Sequence, residues 1–286
     1  MIAVPFKTVL WGVARKMGYD PAESEFTDET AAKYTDFINE RLREGIEHAF
    51  WPELTPVEQR AYRDVWAIGT SYTAGDEVFY EDTEEYYQAL LDNSGQDPTT
   101  TTGYWTDDFT LDKYIPYEQT GKTPLGEVKG TFRKNPRTNR NYPGEIGFEP
   151  SDNGIQLGDY AGAQTWIEFR IRPPEFTSDV WSDTSAYVTD DLVYLAATGE
   201  CYKALQNSTD RNPATETAFW AVVEFPKLLA KYVVRHAYAD ALDEDGQQDK
   251  SLKEEDRAYN ELLRVETIVF KQQRQSHRSE FRGYPS

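Results

Sequence analysis

A forty-residue stretch occurs twice in this chain, and no other feature constrains its architecture as tightly. Residues 66–105 and 181–220 superpose without a gap at an offset of 115. The superposition aligns Trp66 with Trp181, Tyr72 with Tyr187, Asp76 with Asp191, Tyr87 with Tyr202, Pro98 with Pro213 and Trp105 with Trp220. A chain that carries one small unit twice is assembled from several folding units rather than around one continuous core. Each copy reads as a tiny β-module. A turn (Ala74-Gly75-Asp76 or Thr189-Asp190-Asp191) precedes a first strand, a second strand carries Tyr-x-Ala-Leu, and a Pro-containing loop leads to a closing Trp. So short a segment buries little aliphatic area, so its Trp and Tyr side chains must supply most of its core.

The order Trp, Tyr, Gly-Asp-x-Val, Tyr-x-Ala, Pro, Trp resembles the small chitin-binding modules of bacterial chitinases. In those modules a pair of exposed aromatics just after the Tyr-x-Ala strand stacks on the sugar. Here those positions read Leu91-Asp92-Asn93 and Gln206-Asn207-Ser208, so the scaffold is kept and the platform is not. If glycan is held, the resemblance leaves Trp66, Tyr87, Trp105, Trp181, Tyr202 and Trp220 as the rings to hold it; otherwise these six are module core.

Both ends of the chain read as helix. Phe6, Val9, Leu10, Val13 and Met17 fall at helical spacing behind Pro5, with Gly18 as a stop. Tyr34, Phe37, Ile38, Leu42 and Ile46 mark one face of a second helix that starts after Thr27 or Asp28. Thr55-Pro56-Val57-Glu58 has an N-cap residue, a first-turn Pro and a Glu three residues after the cap, which predicts a short helix to about Asp64. Near the other end, Leu229, Val233, Ala237 and Ala241 step by four. A last helix carries Ala258, Leu262, Val265 and Val269. From Lys271 the chain has little to bury, and Lys271, Arg274, Arg278 and Arg282 make residues 271–286 read as a basic, extended arm ordered on a partner.

Between the modules, Thr165, Ile167, Phe169 and Ile171 alternate with Trp166, Glu168, Arg170 and Arg172, the period of a half-buried strand. Val128, Gly130 and Phe132 are expected on one strand face, and Ile146 with Phe148 on another. The intervening loop is locally basic through Arg133, Lys134, Arg137 and Arg140. The expected fold is α+β, in which the terminal helices form one bundle and a central antiparallel β-region holds a meander and the two modules. Its segments are helices over 1–64, a module over 65–110, the meander over 111–176, a second module over 177–222, helices over 223–270 and the arm.

No catalytic constellation emerges. Gly121-Lys122-Thr123 looks like the end of a phosphate-binding loop, but Pro116 occupies the position of its first glycine. The three histidines, His48, His236 and His277, are scattered, and the acidic pairs Asp107-Asp108 and Asp190-Asp191 sit beside turns that they can cap. One cysteine, Cys201, excludes an internal disulfide framework and a multi-cysteine metal site, and it stands where the first module has Tyr86, as a filler rather than a nucleophile. No cofactor and no enzymatic activity are expected. With 50 acidic and 30 basic residues the net charge is −20, which disfavours coating of nucleic acid. No leader-like series or membrane-length apolar run stands out, so synthesis in the cytoplasm without membrane contact is expected.

The opening FKTVLWGVARKMGYDP with TAAKYTDFINERLREGIEHAFWPELT, and the closing FPKLLAKYVVRHAYADALDEDGQQDKSLKEEDRAYNELL, resemble the terminal segments of head-to-tail adaptor (connector) proteins of tailed bacteriophages. The resemblance implies a structural protein of the virion at the head-tail junction. Its copies would form a ring, a dodecamer, beneath the portal protein, contact tail or neck proteins, and let DNA pass without specific binding. It assigns Lys271, Arg274, Arg278 and Arg282 to contacts with the portal or a neighbouring copy. The alternative is a carbohydrate-binding or host-adhesion protein that uses the two aromatic modules.

Overall fold

A computed structural model describes residues 2–20, 27–158 and 162–280, the last nine of these by their backbone. The fold is α+β, with four helices and several small antiparallel sheets among the described residues. The chain divides into two compact units, one of Met1–Trp51 with Pro173–Ser286 and one of Pro52–Arg172.

The first unit holds the bundle expected from the two chain ends. Helix α1 (Phe6–Met17) buries Phe6, Val9, Leu10, Val13 and Ala14 and stops at Gly18, whose φ of 93° only glycine adopts freely. Helix α2 (Asp28–His48) is capped by Thr27, whose Oγ1 accepts from the Thr30 amide at 3.2 Å. Helix α3 (Lys227–Glu244) packs against α1, α2 and α4 (Gln248–Glu280), which is why it carries small or apolar residues on more than one face. Tyr232 of α3 packs against Gly45 of α2, so close that a Cβ there would meet its ring at 2.8 Å. A two-residue ladder ties the N-terminal residues to the start of α3. Ala3–Val4 pairs antiparallel with Phe225–Pro226, and Lys227 donates its amide to the Ile2 carbonyl at 3.0 Å.

The second module packs with this bundle. Its three-stranded sheet (Leu192–Leu195, Glu200–Ala204, Trp220–Val223) is joined to α1 by the Lys7 amide, which donates to the Gly199 carbonyl at 2.9 Å. Phe6 stacks on Phe176 with centroids 4.7 Å apart and meets Tyr194 edge-on at 6.3 Å.

In the second unit, a four-stranded sheet runs in the order Glu145–Ile146, Leu125–Phe132, Gln164–Ile171, Val57–Ala61. A three-stranded sheet of Phe148–Ser151, Gly154–Leu157 and Tyr114–Pro116 adds to the same core, where Ile115, Leu125, Ile155, Ile167 and Phe169 are buried. The alternation of Thr165, Ile167 and Phe169 inward is as the sequence predicts.

Three expectations are overturned. Thr55-Pro56-Val57-Glu58 opens a strand, Val57–Ala61, and not a helix. The Leu54 and Pro56 carbonyls accept the amides of Ile171 and Phe169, and Thr55 Oγ1 is buried with no hydrogen bond instead of capping. Long-range pairing with Gln164–Ile171 outweighs a local helix signal that has only Val57 and Ala61 to bury on one face. The helical segment expected over 1–64 therefore ends its packing at Trp51. Second, the chain is not extended from residue 271: α4 runs on to Glu280, because Gln, Lys, Arg and Glu favour helix and no Gly or Pro intervenes before Gly283. Arg282 lies outside the described residues. Third, Ile146 and Phe148 do not share a strand. The chain breaks at Gly147, and Ile146 joins the four-stranded sheet while Phe148 joins the three-stranded one.

Candidate functional site: the paired modules, the basic loop and the α3–α4 corner

The duplication recurs in the structure as two modules of the same strand order and matching hydrogen bonds. The first module pairs Ser71–Tyr72 with Asn93–Ser94 and orders Glu77–Tyr80, Glu85–Ala89 and Trp105–Thr106 as the second module orders its own three strands. The Tyr72 hydroxyl accepts from the Ala67 amide at 2.7 Å, and that of Tyr187 accepts from Ser182 at 2.8 Å. The indoles of Trp105 and Trp220 donate to the Gln96 and Arg211 carbonyls, each at 2.9 Å. Left-handed backbone recurs at the same three places: Gly75 and Asp190, Glu84 and Gly199, Gly95 and Asp210. Asp190 thus makes the turn that Gly75 makes, at φ 75° against 97°. Asp tolerates this region better than most residues, because its short polar side chain bonds locally.

The six module aromatics form module core. Tyr87, Trp105, Tyr202 and Trp220 are buried, and Trp66 and Trp181 are partly buried against the same clusters. Tyr72 meets Trp105 edge-on at 5.3 Å and Tyr187 meets Trp220 at 5.2 Å, the arrangement of packed rings. None of the four buried rings presents a face on which a pyranose could stack.

Each module attaches by the same face of its sheet to a different neighbour. In the first, Phe79 and Tyr86 enter the core of the second unit, where the Tyr86 hydroxyl accepts from the Tyr62 amide at 2.9 Å and donates to the Ala163 carbonyl. In the second, Tyr194 and Cys201 occupy those places. Cys201 is fully buried, with Sγ donating to the Thr177 carbonyl at 3.2 Å, and burial pushes its thiol up to about 12. A thiol held so high is not a nucleophile at neutral pH. The exchange of Tyr for Cys at one position is therefore the record of two different docking surfaces.

The basic loop links Leu125–Phe132 to Glu145–Ile146 and is built on Asn135. Its carbonyl accepts the amides of Thr138 and Asn139, and its side chain that of Arg137 at 2.9 Å. Arg133, Lys134, Arg137 and Arg140 are all exposed. Arg137 also reaches the Thr55 carbonyl. Tyr142, 88% exposed, stands in the same loop. Of the terminal basic residues, Lys271 is exposed on α4, and Arg274 and Arg278 lie on its last turns.

The sequence reading missed two charged clusters within the bundle. Arg41 of α2 makes a two-pronged pair with Asp240 of α3, at 2.7 Å through both Nε and Nη2, and a second with Glu44. These acidic partners outweigh burial and raise the Arg41 pKa. Arg41 and Asp240, with His236, Asp243, Ser251 and Glu255, line a cleft of about 410 Å³ at the α3–α4 corner. Burial, aided by the Arg41 charge, depresses the His236 pKa, and its Nδ1 lies 3.1 Å from the Tyr232 hydroxyl. The second cluster centres on Glu254, 8% exposed, which faces Lys16 of α1 at 3.8 Å, Arg235 of α3 at 3.1 Å and Arg257. Burial alone would raise its pKa. The Arg257 hydrogen bond and the three cations outweigh it, so the carboxyl lies below its ordinary value. Both clusters join residues far apart in sequence, so no spacing could reveal them.

Among the described residues no group of three or more His, Cys, Asp or Glu side chains could hold a metal ion, and no helix is long and apolar enough to cross a membrane. No protein-family model matches the chain, and no curated protein matches its sequence.

Proposed function

We propose that this chain is a structural virion protein, an adaptor of the head-to-tail junction of a tailed bacteriophage. Copies would form a ring between the portal and the tail, around the passage through which DNA travels. The observation that most supports this reading is the single bundle made by both chain ends, α1 and α2 with α3 and α4, clasped by the Ala3–Val4 and Phe225–Pro226 ladder. A platform built from the two ends of the sequence can carry large β insertions without loss of its packing surface. The net charge of −20 fits a passage that DNA traverses without adhering, because like charge suppresses phosphate contacts. The exposed basic loop and the basic end of α4 are the segments suited to acidic surfaces of the portal, of tail or neck proteins or of neighbouring copies, where charge sets register more than affinity.

The reading is non-catalytic, and the modules serve in it as docking surfaces or decoration. The carbohydrate-binding alternative gains no support from the named aromatics, which are committed to module cores. Quantitative mass spectrometry of purified particles tests the proposal. The expected result is this chain at a fixed ratio to the portal protein. Its absence from particles that contain portal and tail would refute it. Removal of residues 271–286 should leave the chain folded yet unable to join particles, and undiminished joining would remove the role of that segment.

A further inference from the structure

In the second module, the turn between Leu192–Leu195 and Glu200–Ala204 holds the start of a helix. Helix α1 has no side-chain cap of its own. Its Lys7 amide donates to the Gly199 carbonyl at 2.9 Å, and its Phe6 amide meets the Glu200 carboxylate. These are two of the four amides that a helix leaves without partners at its start. A carboxylate placed there also faces the positive end of the helix dipole. Under α1, Gly199 is buried and Glu200 is only partly exposed. The first module has the same turn, uncovered. Glu84 and Glu85 stand at the places of Gly199 and Glu200, with the same left-handed backbone at Glu84, and both are exposed. The sheet face beside the turn is docked through Phe79 and Tyr86, but the turn itself stays open.

The two turns differ in charge. Ala196-Ala197-Thr198-Gly199-Glu200 carries one acid, whereas Glu81-Asp82-Thr83-Glu84-Glu85 carries four, all exposed. Among the described residues none of the four forms an ion pair, and Glu85 accepts the Tyr87 hydroxyl through one oxygen at 3.1 Å. We propose that the Glu81–Glu85 turn is a docking site for the start of a helix of a partner protein, one without a cap of its own and with Lys or Arg in its first turn. The Glu84 carbonyl and the Glu85 carboxylate act toward it as Gly199 and Glu200 act toward α1. The preference for a cation comes from the four acids, since beside the single acid of the second module the Lys7 ammonium lies over the Trp11 ring at 4.1 Å. Helix α1 of a second copy is not the occupant, because Phe6 is buried and its own second module already holds that helix start. The site is independent of the adaptor reading.

Titration of the full, nitrogen-15-labelled chain followed by nuclear magnetic resonance tests it. The probe is an acetylated peptide, Ala-Val-Pro-Phe-Lys-Thr continued by an alanine-rich helix, which offers the start of α1 without the rest of its apolar face. The Glu84 and Glu85 amides should shift and saturate with a Kd of about 1 mM or below, and binding should weaken as salt rises. Replacing the probe's lysine by glutamate should weaken it about fivefold or more. The double variant Glu81→Gln, Glu85→Gln, changed only at exposed positions, should do the same. No saturable shift at Glu84 and Glu85 up to roughly 5 mM, or equal binding by the double variant, overturns the proposal. Shifts centred on Gly199 and Glu200 instead overturn it as well. So does equal binding of a probe of the same composition with its proline moved to the middle, which leaves charge attraction without a helix start.

Discussion

Residues 84 and 199 occupy the same turn of the two modules, and the turn is left-handed in both, with φ 55° at Glu84 and 76° at Gly199. Exchanging the two residue types should have unequal effects. Glu84→Gly relieves a conformation that costs an L-residue about 1–2 kcal/mol. The greater freedom of glycine in the unfolded chain takes back about 0.4–1 kcal/mol. The net gain is about 0.5–1 kcal/mol. Gly199→Glu meets the same strain with the sign reversed, and a second cost as well. A Cβ at residue 199 would lie 2.5 Å from Lys7 Cδ and 2.6 Å from Lys7 Cβ. Overpacking of this kind adds about 1–3 kcal/mol, for a total of about 2–4 kcal/mol. The asymmetry arises because α1 leans on the turn of the second module, where the Lys7 amide donates to Gly199. Urea unfolding followed by circular dichroism gives the global effect, and hydrogen exchange localises it. Protection of the Lys7 amide should fall about thirtyfold or more in Gly199→Glu. Unchanged Lys7 protection there, or destabilisation of the protein by Glu84→Gly, would refute the reasoning.

Other perturbations test separate parts of the fold. Gly45→Ala drives a methyl into the Tyr232 ring and should cost about 1–3 kcal/mol by urea midpoint, with no change in helix content. Glu254→Gln should cost about 1–2 kcal/mol at neutral pH, since the partner cations are partly exposed and screened. Because the folded state depresses the Glu254 pKa, its contribution is present above the unfolded carboxylate value and is lost as pH falls through the folded one. Acid titration of stability should therefore be shallower in Glu254→Gln than in the wild type, and an equal slope would remove Glu254 from the acid response. Tyr86→Cys, which gives the first module the residue of the second, strips the Tyr62 amide of its acceptor and leaves a cavity. It should cost about 3–5 kcal/mol in thermal unfolding.

Much of this architecture was legible because its signals are local or repeated. The paired Trp and Tyr residues announced the modules, and the helical spacing of Phe6, Val9, Leu10 and Val13 ahead of Gly18 announced α1 together with its stop. What stayed hidden depends on distant partners. Thr55-Pro56-Val57-Glu58 satisfies every short-range rule for a helix start, yet the unpaired edge of Gln164–Ile171 captures it as a strand. The basic tail lacks a buried face, which suggested an extended arm, but helix propensity alone carries α4 to Glu280. Cys201 was recognisable as a replacement for Tyr86. That the exchange follows from docking against Thr177 rather than Tyr62 needed three dimensions.

Electron cryomicroscopy of the neck in purified particles addresses the central claim most directly. The account predicts a ring directly beneath the portal whose density is fitted by the four-helix platform of α1–α4, with the second β-module attached to it. A portal–tail junction whose density is fully explained by other chains, with no position for this platform, would contradict it.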